Sequence, residues 1–469
     1  MKRDTKKAVS VNRTRYLRIP GSLLVLALLI FSTGCSARVS RVEHAGSFQD
    51  QLSDKTIGIL PDHPLGLSDC IDISLTNNLS LQALEIQKRL ATLDRKIAFG
   101  NFLPNIELQF SFSATDKPQL RETESGLFQL SDQEVARVAV EAQQPIFLPQ
   151  AWFLYDVRQK GEDISNLVFQ RTRQLISLQV TTLYFACLSL EEAEDYLEKA
   201  TGTTEVLLKD IQAFEREGLV MPSERKQVET LLLQDRLSLE NVRRISKEIR
   251  GDLLEAMGLS PFAEIELREE TPFVHPETTS LSEDVLEALL NRLELHMDDR
   301  TLEIRKQEIR NAIASFLPQI VGLGSFSYSS DSFLKYSNVW SYGVSMVMSI
   351  FDGFQNVFGY RAAREREKEA FIKREQTCMM IMLEVLKARH RVEQVTGVLR
   401  VAEKNLETAE ESHREARAQW NEGLISLSEL LEVVTKRDQA RFLLSTARFQ
   451  HQVALATLSD VLGRTKKEP

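Results

Sequence analysis

Proline is missing from the stretches that decide the fold. The 13 prolines leave residues 150–221, 223–260 and 319–468 empty. Proline costs roughly 3 kcal/mol inside a helix, and these windows are rich in Glu, Lys, Arg, Leu and Ala. They are therefore expected to be long helices. At about 1.5 Å per residue, a 60-residue helix would run about 90 Å. An ordinary globular core does not use helices of that length.

The N-terminus is expected to be an export signal. Lys2, Arg3, Lys6, Lys7, Arg13, Arg15 and Arg18 stand against Asp4 alone, and an apolar run from Leu23 to Phe31 follows. That run is too short to span a bilayer as a helix, and no other run reaches the length of about 20 that spanning needs. Ser32-Thr33-Gly34-Cys35 then resembles a bacterial lipobox, with serine where leucine is usual. On that reading residues 1–34 are a lipoprotein signal and Cys35 is lipidated. Ser36 behind it fits sorting to the outer membrane. An ordinary secretory signal would leave Cys35 a bystander. Removing residues 1–34 moves the net charge from −9 to −15. So acidic a chain lacks the basic surface of a nucleic-acid binder.

The rest of the chain is one unit written twice. Asn77-Asn78-Leu79-Ser80-Leu81 leads a helical run to Phe102-Leu103-Pro104, and Asn291-Arg292-Leu293-Glu294-Leu295 leads another to Phe316-Leu317-Pro318, at an offset of 214. Glu217-Gly218-Leu219-Val220 matches Glu422-Gly423-Leu424-Ile425, and Met257-Gly258 matches Leu462-Gly463, both at 205. Ordered matches of this kind indicate an internal duplication. The nine extra residues of the first copy are assigned to the loop 115–132. An N-terminal segment, 35–65, precedes repeat 1 over 66–262. A linker over 263–280 follows, then repeat 2 over 281–466. Each repeat is read as a helix, a β-hairpin (104–145 and 318–350) and a long helical hairpin.

After each Leu-Pro the hydrophobic period becomes two. Ile106, Leu108, Phe110, Phe112 and Ala114 alternate with Asn105, Glu107, Gln109, Ser111 and Ser113, and Ala136, Val138, Val140 and Ala142 return. In the second copy Trp340, Tyr342, Val344, Met346 and Met348 alternate with mainly small residues, while Gly322 and Gly324 weaken the outgoing strand. Strands of about ten residues with one apolar and one polar face suit a membrane barrel, and equally a small sheet with one solvated face. Four strands cannot close a barrel, so a barrel would be shared between chains.

Heptads follow each hairpin. One seam runs through Ala186, Leu190, Ala193, Leu197, Ala200, Thr204, Leu207, Ile211 and Phe214; the other runs from Val392 through Leu399, Leu406 and His413 to Trp420. Each breaks at a glycine, Gly218 or Gly423, and a new helix begins. Ser426 and Glu429 form a capping box. No catalytic group, cofactor site or metal site is suggested. The seven histidines are scattered, His413 fits a packed seam position, and Cys70, Cys187 and Cys378 form no close-spaced motif.

Duplicated helix–strand–strand–helix–helix units with Leu-Pro before each hairpin, a lipobox and Gly-Leu tips resemble the TolC-type outer-membrane efflux family, in its lipoprotein branch. Pro145-Ile146-Phe147 and Ser349-Ile350-Phe351-Asp352-Gly353 are similar to its strand-to-helix turn, and Trp420-x-x-Gly423-x-x-Ser426 to its tip. In the first copy Phe214 is one residue too far from Gly218 and Met221 replaces the serine, so that tip departs from the family's motif. The resemblance implies a mainly α fold with a small β portion. Three chains would share a twelve-stranded barrel continued by a helical tunnel. It places Glu429 and Glu432 at the periplasmic aperture, where first-copy equivalents are Glu224 and Gln227, although acidic residues in a first turn also serve as plain caps. Gly218, Leu219, Val220, Gly423, Leu424 and Ile425 become contacts for a periplasmic adaptor. The implied system is an exit duct for small molecules such as drugs or metal ions, fed by an inner-membrane pump of the resistance–nodulation–division type. A duct for protein secretion, or a lipid-anchored periplasmic coiled-coil scaffold, are the alternatives.

Overall fold

A computed structural model describes residues 41–61, 63–123, 126–268 and 280–464. The expected signal, residues 1–34, and Cys35 lie outside the described residues. The chain divides into two compact units, residues 1–55 and 56–469. The first contributes most of helix α1 (Arg41–Ile59). The second holds everything described below.

Each copy opens with two helices where the sequence led us to expect one. They are α2 (Leu67–Asn77) and α3 (Leu79–Gly100) in the first copy. In the second they are α6 (Leu281–Asn291) and α7 (Leu293–Ala314). The break falls on Asn78 (φ −60°, ψ 125°) and Arg292 (φ −68°, ψ 124°), both extended. A different side chain secures each break. Asn78 accepts from the N–H groups of Ser80 and Leu81 through Oδ1, and donates to the Ala256 carbonyl at 2.9 Å. Arg292 binds Glu294 and Glu384 at 2.8 Å and reaches the Val461 carbonyl at 3.5 Å.

The strands are β1 (Asn105–Ala114), a small hairpin of β2 (Leu120–Thr123) and β3 (Gly126–Gln129), and β4 (Glu134–Phe147). The second copy adds β5 (Gln319–Ser329) and β6 (Asn338–Val347). The region expected to hold the inserted residues, 115–132, thus carries a hairpin of its own. Strands β1-β4-β5-β6 form one antiparallel sheet in that order. Register puts Phe110 beside Val138 and Val138 beside Tyr328, and Gly324 beside Tyr342. All the apolar alternates therefore share one face, because side chains of period two point the same way. That face is open: Ile106, Leu108, Phe110, Phe112, Trp340, Tyr342 and Val344 are exposed. Despite its glycines β5 is fully paired. Gly322 makes room for Ile146, whose Cδ1 would lie 3.3 Å from an added Cβ, at the bulge between Pro145 and Phe147.

The proline-free windows form α4 (Pro149–Arg216), α5 (Pro222–Ala256), α8 (Gln355–Asn421) and α9 (Leu427–Val461). α4, at 68 residues, is about 100 Å long. Seam residues Ala193, Ala200, Thr204 and Ile211 are buried, as are Val392, Val395, Ala402 and Ala416. One core gathers Leu65, Cys70, Val180, Tyr184, Cys187, Leu253 and Met257, and a second gathers Ala288, Leu295, Ile381, Val385, Leu455 and Leu462. The thiols of Cys70 and Cys187 are buried, and burial pushes Cys187 up to about 12. The start of the linker is held against the chain's entry: Leu65 bridges Leu267 in parallel, with Leu65 N–H donating to the Glu266 carbonyl at 2.8 Å.

Candidate aperture at the helical tips

The two tips have the same backbone. Gly218 (φ 74°) and Gly423 (φ 71°) take the left-handed conformation that ends a helix. Leu219 N–H donates back to the Phe214 carbonyl, and Leu424 N–H to that of Gln419, both at 2.9 Å. The first tip makes the same turn as the second, although Met221 stands where the second tip has Ser426. Pro222 begins α5, where its fixed φ suits the first helical position. Glu224 accepts from the Met221 N–H at 2.7 Å, which supplies half of a capping box without serine.

The tips rest on a shared apolar cluster of Ile211, Val228 and Leu427, with Val220 and Trp420 against it. Ser428 of the second copy donates to Gln227 of the first at 3.4 Å. Leu219 and Leu424 remain 67% and 68% exposed, and so does Met221 at 70%, which the sequence reading did not count among the tip residues. Val220 and Ile425, in the same turns, are half-buried. The six anticipated tip residues are thus two turns that the cluster holds side by side.

Glu429 and Glu432 lie one helical turn apart on α9, and both are exposed. Glu429 completes the cap: its carboxylate accepts from the Ser426 N–H at 2.7 Å and the Ser426 hydroxyl at 2.9 Å, and its own N–H donates to Ser426 at 3.3 Å. Those donors hold the carboxyl below its ordinary range. Glu432 pairs with Lys436 at 2.6 Å. Both carboxylates therefore have local partners, and Glu432 shares its position with a positive charge.

Farther along the same helices lies a polar belt that sequence reasoning missed except for Thr204 and His413. Thr204 donates to Asp235 at 2.7 Å. Burial pushes the Asp235 carboxyl up, and Asp438 adds to the shift. Arg437 pairs with Asp438 at 2.6 Å and lies 3.2 Å from Nε2 of His413. Burial, and then Arg437, hold His413 below its ordinary value. The Arg441 guanidinium sits over the Tyr196 ring at 5.5 Å and pairs with Glu410 at 2.8 Å. Among the described residues, no group of three or more His, Cys, Asp or Glu is placed to hold a metal ion.

Known proteins place this architecture. Residues 285–464 match the family described as outer membrane efflux protein. The outer membrane efflux protein BepC of Brucella suis is 25% identical over 187 residues, which span 39% of this chain and 40% of that protein. A membrane protein from Pseudomonas aeruginosa superposes with a TM-score of 0.74 at 18% identity, covering 85% of this chain and 90% of that one. The Campylobacter jejuni CmeC outer membrane channel gives 0.73 at 16% identity, with 85% of each chain covered. At such identities the structural likenesses speak for the fold. Over residues 285–464 the sequence is similar to the outer membrane efflux protein family, and over both copies the fold is that of these solved structures.

Proposed function

We propose that the protein is the outer-membrane exit duct of a tripartite efflux system, passing small molecules such as drugs or metal ions outward from an inner-membrane pump. The sheet is the observation that carries this reading. It has four strands, one apolar exposed face, and β1 and β6 at its edges. Strand edges and an apolar face both call for partners. In an all-antiparallel order of four, β6 of one chain meets β1 of the next in antiparallel sense. Three chains then close a twelve-stranded barrel whose apolar face meets lipid. Among the described residues no helix is long and apolar enough to cross a membrane, which leaves the strands as the crossing elements. The long helices continue the barrel through the periplasm.

In this reading residues 1–34 are removed and a lipid on Cys35 anchors the mature chain. Leu219, Leu424 and their neighbours at Gly218, Val220, Gly423 and Ile425 meet the hairpin of a periplasmic adaptor, and Met221 extends that surface. The adaptor links the duct to a pump of the resistance–nodulation–division type. Three copies of Glu429 and Glu432 ring the aperture. With its pKa held low, Glu429 stays ionised at neutral pH, while Lys436 tempers the ring at Glu432. Rings of like charge around a narrow pore attract cations. The test is conductance in a planar bilayer. The purified protein should form pores that a trivalent cation blocks from the tip side, and Glu429→Gln with Glu432→Gln should weaken that block. Silent bilayers would overturn the duct, and an unchanged block would return both carboxylates to capping and pairing.

A further inference from the structure

The duplication lets one joint inside the chain stand for another between chains. The first copy's long helix, α4, packs against α7 and α9 of the second copy through half-buried residues. Lys160 pairs with Glu303 at 3.1 Å. Arg171 pairs with Glu294 at 2.7 Å and with Asp460 at 2.6 Å. Tyr196 lies under Arg441 on α9. Each element recurs in the other copy at a fixed offset: 205 for the helical hairpins, as Gly218 to Gly423, and 214 for the short helices, as Leu79–Gly100 to Leu293–Ala314.

Moving the joint by those offsets names the contacts that α8 would make with a neighbour's α3 and α5. Lys160–Glu303 becomes Glu365–Arg89, an ion pair with its signs exchanged. Tyr196 against Asp438 and Arg441 becomes Val401 against Leu233 and Arg236. Arg171 against Glu294 and Asp460 becomes Gln376 against Ser80 and Glu255. Lys160, Glu303, Arg171, Glu294, Tyr196 and Asp438 are all partly covered, whereas Glu365, Arg89, Gln376, Ser80, Val401 and Leu233 are all exposed. Val401 and Leu233, two apolar residues, stand at 60% and 66% exposure. The α3 face next to Arg89 is also apolar and exposed at Ile86, Leu90, Leu93 and Ile97. The corresponding residues of α7, which this chain itself covers, are Arg300, Ile304, Gln307 and Asn311.

We infer that a second copy of this chain occupies this face, with Glu365 of one copy paired to Arg89 of the next and Val401 packed on Leu233. This assignment rests on the shared-barrel reading and adds its register. The joint within a chain is tied by the desolvated ions of Arg171. The joint between chains keeps one ion pair and is otherwise more apolar, and burying apolar surface there supplies the association free energy.

The test uses the full chain in detergent. Val401→Cys with Leu233→Cys, in a Cys378→Ser background, is treated with a short bis-maleimide linker; Cys70 and Cys187 are buried. A ladder ending at three chains is expected, with neither single cysteine giving it. Glu365→Arg should lower the cross-linked yield about tenfold, through like charge against Arg89, and adding Arg89→Glu should restore it. All these positions are exposed, so circular dichroism and the monomer's melting temperature should be unchanged. A trimer that neither cross-links nor responds to the charge changes would overturn the register and leave the barrel standing. Cross-linking without charge rescue would overturn the Glu365–Arg89 pair. A monomeric wild type would overturn both the register and the shared barrel.

Discussion

The two copies of the repeat share helices of matching length, 11, 22 and 35 residues in each with long helices of 68 and 67, and differ in the side chains these helices carry. At the end of each helical hairpin a left-handed glycine, Gly258 or Gly463, lies against the asparagine that ends the short helix. An added Cβ at Gly258 would stand 2.2 Å from the Asn77 carbonyl oxygen, and one at Gly463 would stand 2.8 Å from Cβ of Asn291. One residue on, the copies part. The first secures its break with the neutral Asn78, and the second with Arg292 inside an ion network that includes Glu294, Glu384 and Arg171. At the tips Glu224 and Gln227 stand where the second copy has Glu429 and Glu432. Backbone geometry that positions helices has been kept twice, and side chains that carry charge have been divided between the copies.

The contact common to both copies should be the most sensitive to change. Gly258→Ala adds a methyl into backbone and forces a left-handed alanine, so it should cost about 3–5 kcal/mol. Thermal melting should show a large fall or no folded protein. Gly423→Ala at the open tip meets nothing within 4 Å. It should cost only about 1 kcal/mol through φ alone. A similar loss at both positions would mean that the close approach to Asn77 is not what fixes Gly258.

The divergent breaks come next. Arg292→Ala leaves Glu294 beside Arg171 but strips Glu384 of its partner, and should cost about 3 kcal/mol. Asn78→Ala removes a cap and one bond to Ala256, about 1–2 kcal/mol. Salt should narrow the gap between the variants, and equal effects would show that the ion network adds nothing over the amide.

The smallest effect concerns pH. Burial raises the Asp235 carboxyl above its unfolded value. The folded state therefore binds this proton more tightly, and Asp235 erodes stability as pH rises through its folded pKa. Asp235→Asn can still accept from Thr204. It should melt higher than the wild type at neutral pH, with the difference closing as the solution is acidified below the ordinary aspartate range. The opposite trend would place Asp235 in a favourable ionised contact.

Much of this was legible because duplication repeats a signal at a fixed offset. Strands were legible because a sheet with one apolar face enforces period two, as from Ile106 to Ala114. The short helices α2 and α6 were not, since the helical runs were read as starting at Asn77 and Asn291, and the breaks that set these helices off are tied to carbonyls 178 and 169 residues away. The cap of the first tip was not legible from the family's serine, because Met221 stands there and Pro222 and Glu224 do its work together. The belt around Asp235 and Asp438 joins helices from different copies, and no periodicity reports such a meeting. Glu429 was legible as a capping residue from its spacing to Ser426. Its hydrogen bonds show a cap, and the ring it would form exists only between chains.

That division points to the decisive measurement, the native mass of the detergent-purified full chain. A β sheet with edges at β1 and β6, and a helix α8 with its outer face uncovered, should be completed by assembly. The expected mass is that of three chains. A stable monomer, or any assembly of a number other than three, would contradict the shared barrel.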